Sequence, residues 1–120
     1  MTESEFLNVS DALFERIQSA LDAAGAEVES LLQGNVLELE FDDGSKVIVN
    51  RHVPNSEMWL AGKSGGFHFR QDAGGNWLDT RDGGEFFARL AAMVRLGLPL
   101  PLGSVRNMRS FVAIANPDIS

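Results

Sequence analysis

The sequence predicts an α+β fold, a two-layer α-β sandwich in which two helices pack on one face of an antiparallel sheet of about five strands. Apolar residues recur at helical spacing near the N-terminus and again after residue 82. Between these segments they alternate with polar residues, as in half-buried strands. Each segment therefore has one apolar side, and the two-layer arrangement is the simplest one that buries every apolar side.

The first helix is predicted over residues 4–24. Its apolar side comprises Phe6, Leu13, Ile17, Ala20, Leu21 and Ala24. Asp11, Glu15 and Asp22 fall on the opposite side, which we expect to face water. Gly25 is suited to end the helix, because glycine adopts a left-handed cap conformation without strain.

The sheet is predicted from alternating segments that are separated by turn residues. The segments are residues 36–41, 46–50, 57–61, 66–70 and 76–79. Asp43-Gly44 is a hairpin signal between the first two segments.

The second helix is predicted to begin near Asp82 or Gly83, with Glu85 in its first turn. Its apolar side comprises Phe86, Phe87, Leu90, Met93 and Val94. Pro99 and Pro101 cannot continue a helix. We therefore expect one domain over residues 1–102 and a C-terminal tail, residues 103–120, to which the pattern assigns no structure.

The composition excludes several classes of function. The chain has no cysteine, so it cannot form a disulfide, supply a catalytic thiol or hold an iron–sulfur cluster through thiolates. No apolar run approaches the roughly 18 residues that a membrane-spanning helix needs. The N-terminal residues are acidic and do not resemble a targeting segment, so we expect a cytoplasmic protein.

Charge is unevenly distributed along the chain, whose net charge is −7. Residues 1–43 contain eleven acidic residues and one basic residue, whereas residues 44–120 contain six acidic and nine basic residues. Such asymmetry favours a metal ion or a basic protein surface as partner, and it argues against nucleic acid. Clustered carboxylates suit hard cations, including ferric iron. The alternative is an acidic surface that only keeps the protein soluble.

The predicted strands place a tryptophan on the side of the sheet that the helices do not cover. The residues that share this open face are Asn50, His52, Trp59 and His68. Aromatic residues are enriched at the centres of protein interfaces, so we expect this face to bind a partner. The alternative is that Trp59 only shields the sheet.

Residues 50–69 resemble the signature of the frataxin family, and of its bacterial CyaY branch in particular. The family pattern runs Asn, Arg or Lys, Gln, then Pro, then Gln-x-Trp-Leu followed by Ala or Ser, then Gly-Gly-x-His-Phe. Here the corresponding residues are Asn50-Arg51-His52, Pro54, Glu57-Met58-Trp59-Leu60-Ala61 and Gly65-Gly66-Phe67-His68-Phe69. The resemblance extends from residue 4 to near residue 96. His52 and Glu57 depart from it, since glutamine is usual at both positions.

The resemblance implies an α-β sandwich and an iron-binding protein that modulates iron–sulfur cluster assembly, as an iron donor or a regulator of the cysteine desulfurase. It implies an assembly factor and not an enzyme, with a weak ferroxidase activity left open. It also implies that the chain contacts the cysteine desulfurase and the iron–sulfur scaffold protein through acidic residues and the open face. We expect a monomer that iron can drive into oligomers.

Weak, surface-bound iron is implied on an acidic ridge. We define this ridge as Asp11, Glu15, Asp22, Glu27, Glu29, Glu38 and Glu40. Of these, Asp11, Asp22, Glu27 and Glu29 match acidic positions of the family, and the other three are acids of this chain nearby. Gln18-Ser19 and residues 23–26 lack acids that bacterial relatives often carry, which predicts weaker or fewer iron sites.

Two alternatives to this function stay open. An acidic interaction module could dock through the open face with no role for iron. Alternatively, His52, His68 and Glu57 could imitate a 2-His-1-carboxylate iron site and oxidise ferrous iron.

Overall fold

The structure is a computed structural model that describes residues 1–23, 28–63 and 65–97. The elements are α1 (Glu3–Ala23), β1 (Val28–Gln33), β2 (Val36–Phe41), β3 (Lys46–His52), a 3₁₀ turn (Val53–Asn55), β4 (Glu57–Gly62), β5 (Gly65–Gln71), β6 (Trp77–Asp79) and α2 (Phe86–Gly97). The predicted ligand Glu27 and the tail, residues 103–120, lie outside the described residues.

The six strands form one antiparallel meander in the order β1 to β6, so each strand pairs with its neighbours in sequence. Short turns between consecutive strands favour this arrangement. Apolar side chains from one face of the sheet and from both helices form a common core. The predicted α-β sandwich is confirmed. Neither described helix is long and apolar enough to cross a membrane.

The alternation predicted for the strands places apolar side chains on the inner face of the sheet, the face that the two helices cover. Its buried apolar side chains are Leu37, Leu39, Phe41, Val47, Val49, Met58, Leu60, Phe69 and Trp77. The predicted apolar residues of both helices are buried against them wherever they are described. Phe14 and Ser10 of α1 are buried as well, although neither was predicted to lie on the apolar side of the helix.

α1 begins at a capping box formed by Thr2 and Glu5. The backbone N–H of Glu5 donates to Thr2 Oγ1 at 3.1 Å, and the backbone N–H of Thr2 donates to Glu5 Oε1 at 3.3 Å. The bond with Thr2 lowers the pKa of the Glu5 carboxyl. The start of the helix is therefore set locally by its first residues.

β1 was not predicted, and the described sheet has six strands instead of about five. The sequence of β1, Val-Glu-Ser-Leu-Leu-Gln, does not alternate between apolar and polar residues, and every residue after Val28 is exposed. Its extended conformation depends on pairing with β2, in the register that joins Val28 to Phe41 and Gln33 to Val36. Local sequence does not reveal a strand of this kind.

α2 begins at Phe86, later than the predicted start near Asp82. Residues 79–84 instead form a turn, in which the N–H of Gly83 donates to the carbonyl of Asp79 at 2.9 Å. Glu85 precedes the helix, and its carboxylate accepts from the N–H groups of Phe87 and Ala88 at 2.7 and 3.1 Å. The predicted position of Glu85 within the first turn was therefore wrong, because this side chain caps the helix from outside.

Asp82 supports this turn through a carboxylate that accepts from the N–H of Gly84 at 2.8 Å and from the Arg89 guanidinium at 3.1 Å. The Gly84 N–H, followed by Arg89, lowers the pKa of Asp82. A carboxyl whose pKa falls on folding stabilises the fold above its ordinary pKa of about 4, and this contribution is lost as the pH falls through the lowered value.

We therefore expect Asp82→Asn to lower the urea midpoint at neutral pH and to differ less from the parent below about pH 4. Urea unfolding across this pH range is the measurement. Asp42→Asn is the control, since it removes the same charge from an exposed carboxyl with no hydrogen bond to another described side chain. A difference that persisted unchanged in acid would contradict the proposed cause.

Candidate functional site

The open face of the sheet carries a stack of three rings at its centre. The His52 and Trp59 rings are 4.0 Å apart between centroids and tilted by 10°, and the Trp59 and His68 rings are 4.3 Å apart and tilted by 6°. Trp59 is half-buried, whereas 48% of the His68 side chain is exposed. The prediction that these residues share one face is confirmed.

Strand register brings these rings together. Trp59 on β4 lies opposite Asn50 on β3 and opposite His68 on β5. Directly paired residues of antiparallel strands point to the same side of the sheet. His52 is two residues beyond Asn50, so its ring can reach across diagonally and cover the indole.

Glu57 contacts this stack and is buried, whereas the sequence pattern suggested only that it could supply the carboxylate of a 2-His-1-carboxylate site. Trp59 Nε1 donates to Glu57 Oε1 at 3.0 Å, and Arg70 Nη2 donates to Glu57 Oε2 at 2.8 Å. His68 Nδ1 lies 3.8 Å from Glu57 Oε1. The carboxylate thus orients the indole while the Arg70 guanidinium balances its charge.

The 2-His-1-carboxylate site is not formed. The indole of Trp59 lies between the His52 and His68 rings, so the two imidazoles cannot converge on one ion. Within residues 1–23, 28–63 and 65–97, no group of three or more His, Cys, Asp or Glu side chains is arranged to hold a metal. The histidines act as stacking partners of Trp59 in this structure.

The carboxylates of α1 form one part of the predicted acidic ridge. Asp11, Glu15 and Asp22 are exposed, on the side of the helix opposite its buried residues. Asp11 is in an ion pair with Arg51 Nη1, whereas Glu15 and Asp22 have no ion pair with another described residue. Arg51 also donates to Asn35 Oδ1 at 3.1 Å and so ties α1 to the β1–β2 turn.

The sheet carboxylates form a second part, in the other layer of the sandwich. Glu29 is paired in register with Glu40, and the buried residues on either side of Glu38 and Glu40 place all three carboxylates on the open face. Lys46 Nζ lies 3.1 Å from Glu38 and 3.7 Å from Glu40. Its hydrogen bond to Glu38 and the charges of both carboxylates raise the pKa of Lys46.

The structure therefore separates the ridge into a helix group and a sheet group, which the sequence analysis had treated as one surface. The cations that pair with ridge carboxylates, Lys46 and Arg51, were not identified from the sequence, and neither was Arg70, which pairs with Glu57. Arg70 could have been found, because it lies two residues from His68 and strand parity puts it on the open face. The Arg51 pairing depends on contacts between distant segments and had no local signal.

A family model for the frataxin-like domain matches residues 1–98 of this chain. The chain belongs to the frataxin family. The iron–sulfur cluster assembly protein CyaY of Chromobacterium violaceum is 58% identical over 97 residues, which cover 81% of this chain and 91% of that protein. The protein of the same name from Cupriavidus metallidurans is 54% identical over 95 residues, which cover 76% of this chain and 85% of that protein.

A solved frataxin structure has the same fold. The frataxin of Psychromonas ingrahamii, described as a model for stability modulation within the CyaY protein family, superposes with a TM-score of 0.72 at 37% identity. The match covers 77% of this chain and 87% of that one. The family resemblance inferred from residues 50–69 is confirmed.

The buried Glu57 makes the open face of this frataxin dependent on Arg70. We expect Arg70→Met to destabilise the fold by about 1–3 kcal/mol, because the Glu57 carboxylate is then left without its charged donor. Adding Glu57→Gln should recover most of this loss, since a neutral amide needs no counterion and can still accept from Trp59. The free energy of unfolding in urea measures both effects.

Arg81→Met is the matched control, because Arg81 makes no ion pair with a described residue. If the loss in the single Arg70 variant equals that in the double variant, Arg70 does not act through Glu57.

Proposed function

We propose that this frataxin binds iron weakly through surface carboxylates and modulates iron–sulfur cluster assembly, as an iron donor or as a regulator of the cysteine desulfurase. Its curated relatives are named for cluster assembly. The observation that carries the proposal is the exposed pair Glu15 and Asp22 on α1, which has no cationic partner among the described residues. The chain has no cysteine, so it cannot ligate a cluster through thiolates, and in this proposal iron is its cargo.

Weak binding follows from the arrangement of these carboxylates. Exposed oxygens on a helix attract a hard or borderline cation electrostatically, but they leave most of its hydration shell in place. A site of this kind loads and releases iron readily, which suits a donor or sensor better than a resident cofactor. Iron that bridges carboxylates of two monomers would also account for iron-driven oligomers.

The same charge would direct the protein to a basic surface of the cysteine desulfurase. Long-range attraction between opposite charges accelerates encounter and weakens as salt screens it. The open face, with Asn50, His52, Trp59 and His68, then supplies a flat aromatic contact for the desulfurase or the scaffold protein. Because reduced thiols and iron are handled together in such an assembly, we place this function in the cytoplasm.

A second candidate function is supported by the ring stack itself. A tryptophan fixed between two imidazoles by Glu57 is a preorganised docking element, and it would serve an interaction module that has no role for iron.

The iron proposal predicts local binding on α1. When ferrous iron is added without oxygen to labelled protein, we expect NMR signals of α1 near Glu15 and Asp22 to change first. The variant Glu15→Gln/Asp22→Asn should weaken binding severalfold, because it removes two exposed charges from the same side of α1.

The control for this variant is Glu3→Gln/Asp42→Asn, which removes the same number of exposed charges away from this part of the helix. Equal weakening in both variants would show that iron responds only to net charge. No response in the parent protein would overturn the iron proposal.

The partner proposal predicts two separable contributions to binding of a bacterial cysteine desulfurase. Glu15→Gln/Asp22→Asn should weaken binding in low salt and have little effect near 1 M salt, where charges are screened beyond about 3 Å. Trp59→Ala should weaken binding at every salt concentration, because a stacking contact is not screened. Binding isotherms across a salt series measure both effects.

Salt-independent binding would eliminate the electrostatic mechanism. Loss of binding in Trp59→Ala alone, combined with no NMR response to iron, would favour the interaction module instead.

A further inference from the structure

The charged side chains of the open face are unevenly placed. Among the described strand residues of this face, the acidic side chains that reach solvent are Glu29, Glu38 and Glu40, on β1 and β2. Arg70 lies on β5, two residues after His68 and on the same side of the strand. The exposed acids therefore lie near the β1 edge of the sheet, whereas Arg70 lies near the β6 edge.

Distance separates Arg70 from these acids. Glu40 pairs with Lys46 on β3. Six residues further along β3, His52 pairs with Glu57 on β4, and Glu57 contacts Arg70 on β5. Glu40 and Arg70 are thus three strands, about 14 Å, apart across the sheet and six residues, about 20 Å, apart along it. Charges at such separations are largely screened at physiological ionic strength, where the Debye length is about 8 Å.

Glu57 holds Arg70 in an asymmetric ion pair. The Glu57 side chain is 8% exposed and the Arg70 side chain is 62% exposed. The pair is neutral in sum, but it presents its positive member to solvent. The next acidic residue along the chain, Asp72, is engaged elsewhere, because its Oδ1 accepts from the backbone N–H groups of Gly74 and Asn76 at 2.9 Å.

Most of the hydrogen-bonding capacity of Arg70 is unused. A guanidinium has five N–H donors, and the one hydrogen bond that Arg70 makes with a described residue is the 2.8 Å bond from Nη2 to Glu57. That bond also restricts the side chain, so less conformational entropy is lost when a further acceptor binds. A carboxylate fits such a guanidinium, since its two oxygens can accept from two parallel N–H groups.

We propose that Arg70 and His68 form a recognition site for a glutamate or aspartate side chain of a partner protein. The remaining N–H groups of Arg70 donate to the carboxylate. The His68 ring, which is 48% exposed and is one outer member of the stack, contacts apolar residues beside that carboxylate. The inference deepens the proposed function, on which it rests, because it specifies that the partner surface is acidic opposite Arg70, whereas the surface that α1 meets is basic.

A phosphate group is a less suitable ligand for this site. Among the described residues of the open face, the other lysine or arginine is Lys46, whose Nζ lies 3.1 Å from Glu38 and 3.7 Å from Glu40. Arg70 therefore acts alone, and one guanidinium matches one carboxylate, whereas a phosphate group carries nearly twice that charge. The net charge of −7 also opposes binding to nucleic acid.

An NMR titration with the short blocked peptide Leu-Glu-Leu tests the site in the full chain. We expect the side-chain signals of Arg70 and His68 to change. The indole signal of Trp77 should stay constant, because Trp77 is buried in the core. The peptide Leu-Gln-Leu keeps the shape but lacks the charge, and it should bind at least about fivefold more weakly.

Two variants isolate the contribution of Arg70. Glu57→Gln removes the buried charge and keeps Arg70, and Arg70→Met/Glu57→Gln differs from it only at residue 70. Neither variant leaves a buried carboxylate without its cation, so we expect both to fold. The double variant should bind Leu-Glu-Leu at least about fivefold more weakly than Glu57→Gln, and it should no longer distinguish the two peptides.

Three results would overturn the proposal. They are equal affinity of the two variants for Leu-Glu-Leu, equal affinity of the parent for the two peptides, and signal changes centred on β1 instead of β5. Inorganic phosphate that changed the Arg70 signals more strongly than the peptide would also overturn it and would assign a phosphate site. Iron and the desulfurase are absent from this titration, so its failure and the failure of the proposed function are distinguishable.

Discussion

Burial of one face of the antiparallel meander beneath the two helices is the constraint on which the rest of this structure depends. Once Leu37 and Leu39 face the helices, Glu38 and Glu40 must face away, because side chains alternate along a strand. Strand pairing extends this orientation across the sheet. Val36 is paired with Asn50, Asn50 with Trp59, and Trp59 with His68, so all four side chains point away from the helices. The composition of the open face is therefore a consequence of how the core is packed.

The surface charge of this frataxin differs from what its net charge suggests. Glu38 and Glu40 share Lys46, Asp11 is paired with Arg51, and Glu57 is paired with Arg70. These pairs place a cation beside the acidic residues of the sheet and beside Asp11 near the middle of α1. The carboxylates of Glu15 and Asp22 on α1 remain exposed and have no ion pair with another described residue.

Aromatic stacking and ion pairing act together on the open face. Glu57 holds the Trp59 indole by a hydrogen bond, Arg70 balances the carboxylate, and the two imidazoles cover both sides of the ring. A ring held in this way loses little conformational entropy on docking, which favours association with a flat partner surface. The two edges of the sheet differ, since β6 has three residues and is bridged to Glu85, whereas β1 has six residues and exposes Leu31 and Leu32.

The sequence by itself determined the two helices, five of the strands and the inner face, because each of these has a local periodicity that burial requires. It also determined which rings share the open face, since strand parity alone places Trp59, His52 and His68 there. Only the tertiary structure decided that Glu57 is buried, that the indole separates the histidines, and that the acidic residues lie in two layers. The same holds for β1 and for the ion pair of Arg51 with Asp11. These features depend on contacts between residues distant in sequence, and a local pattern contains no information about such contacts.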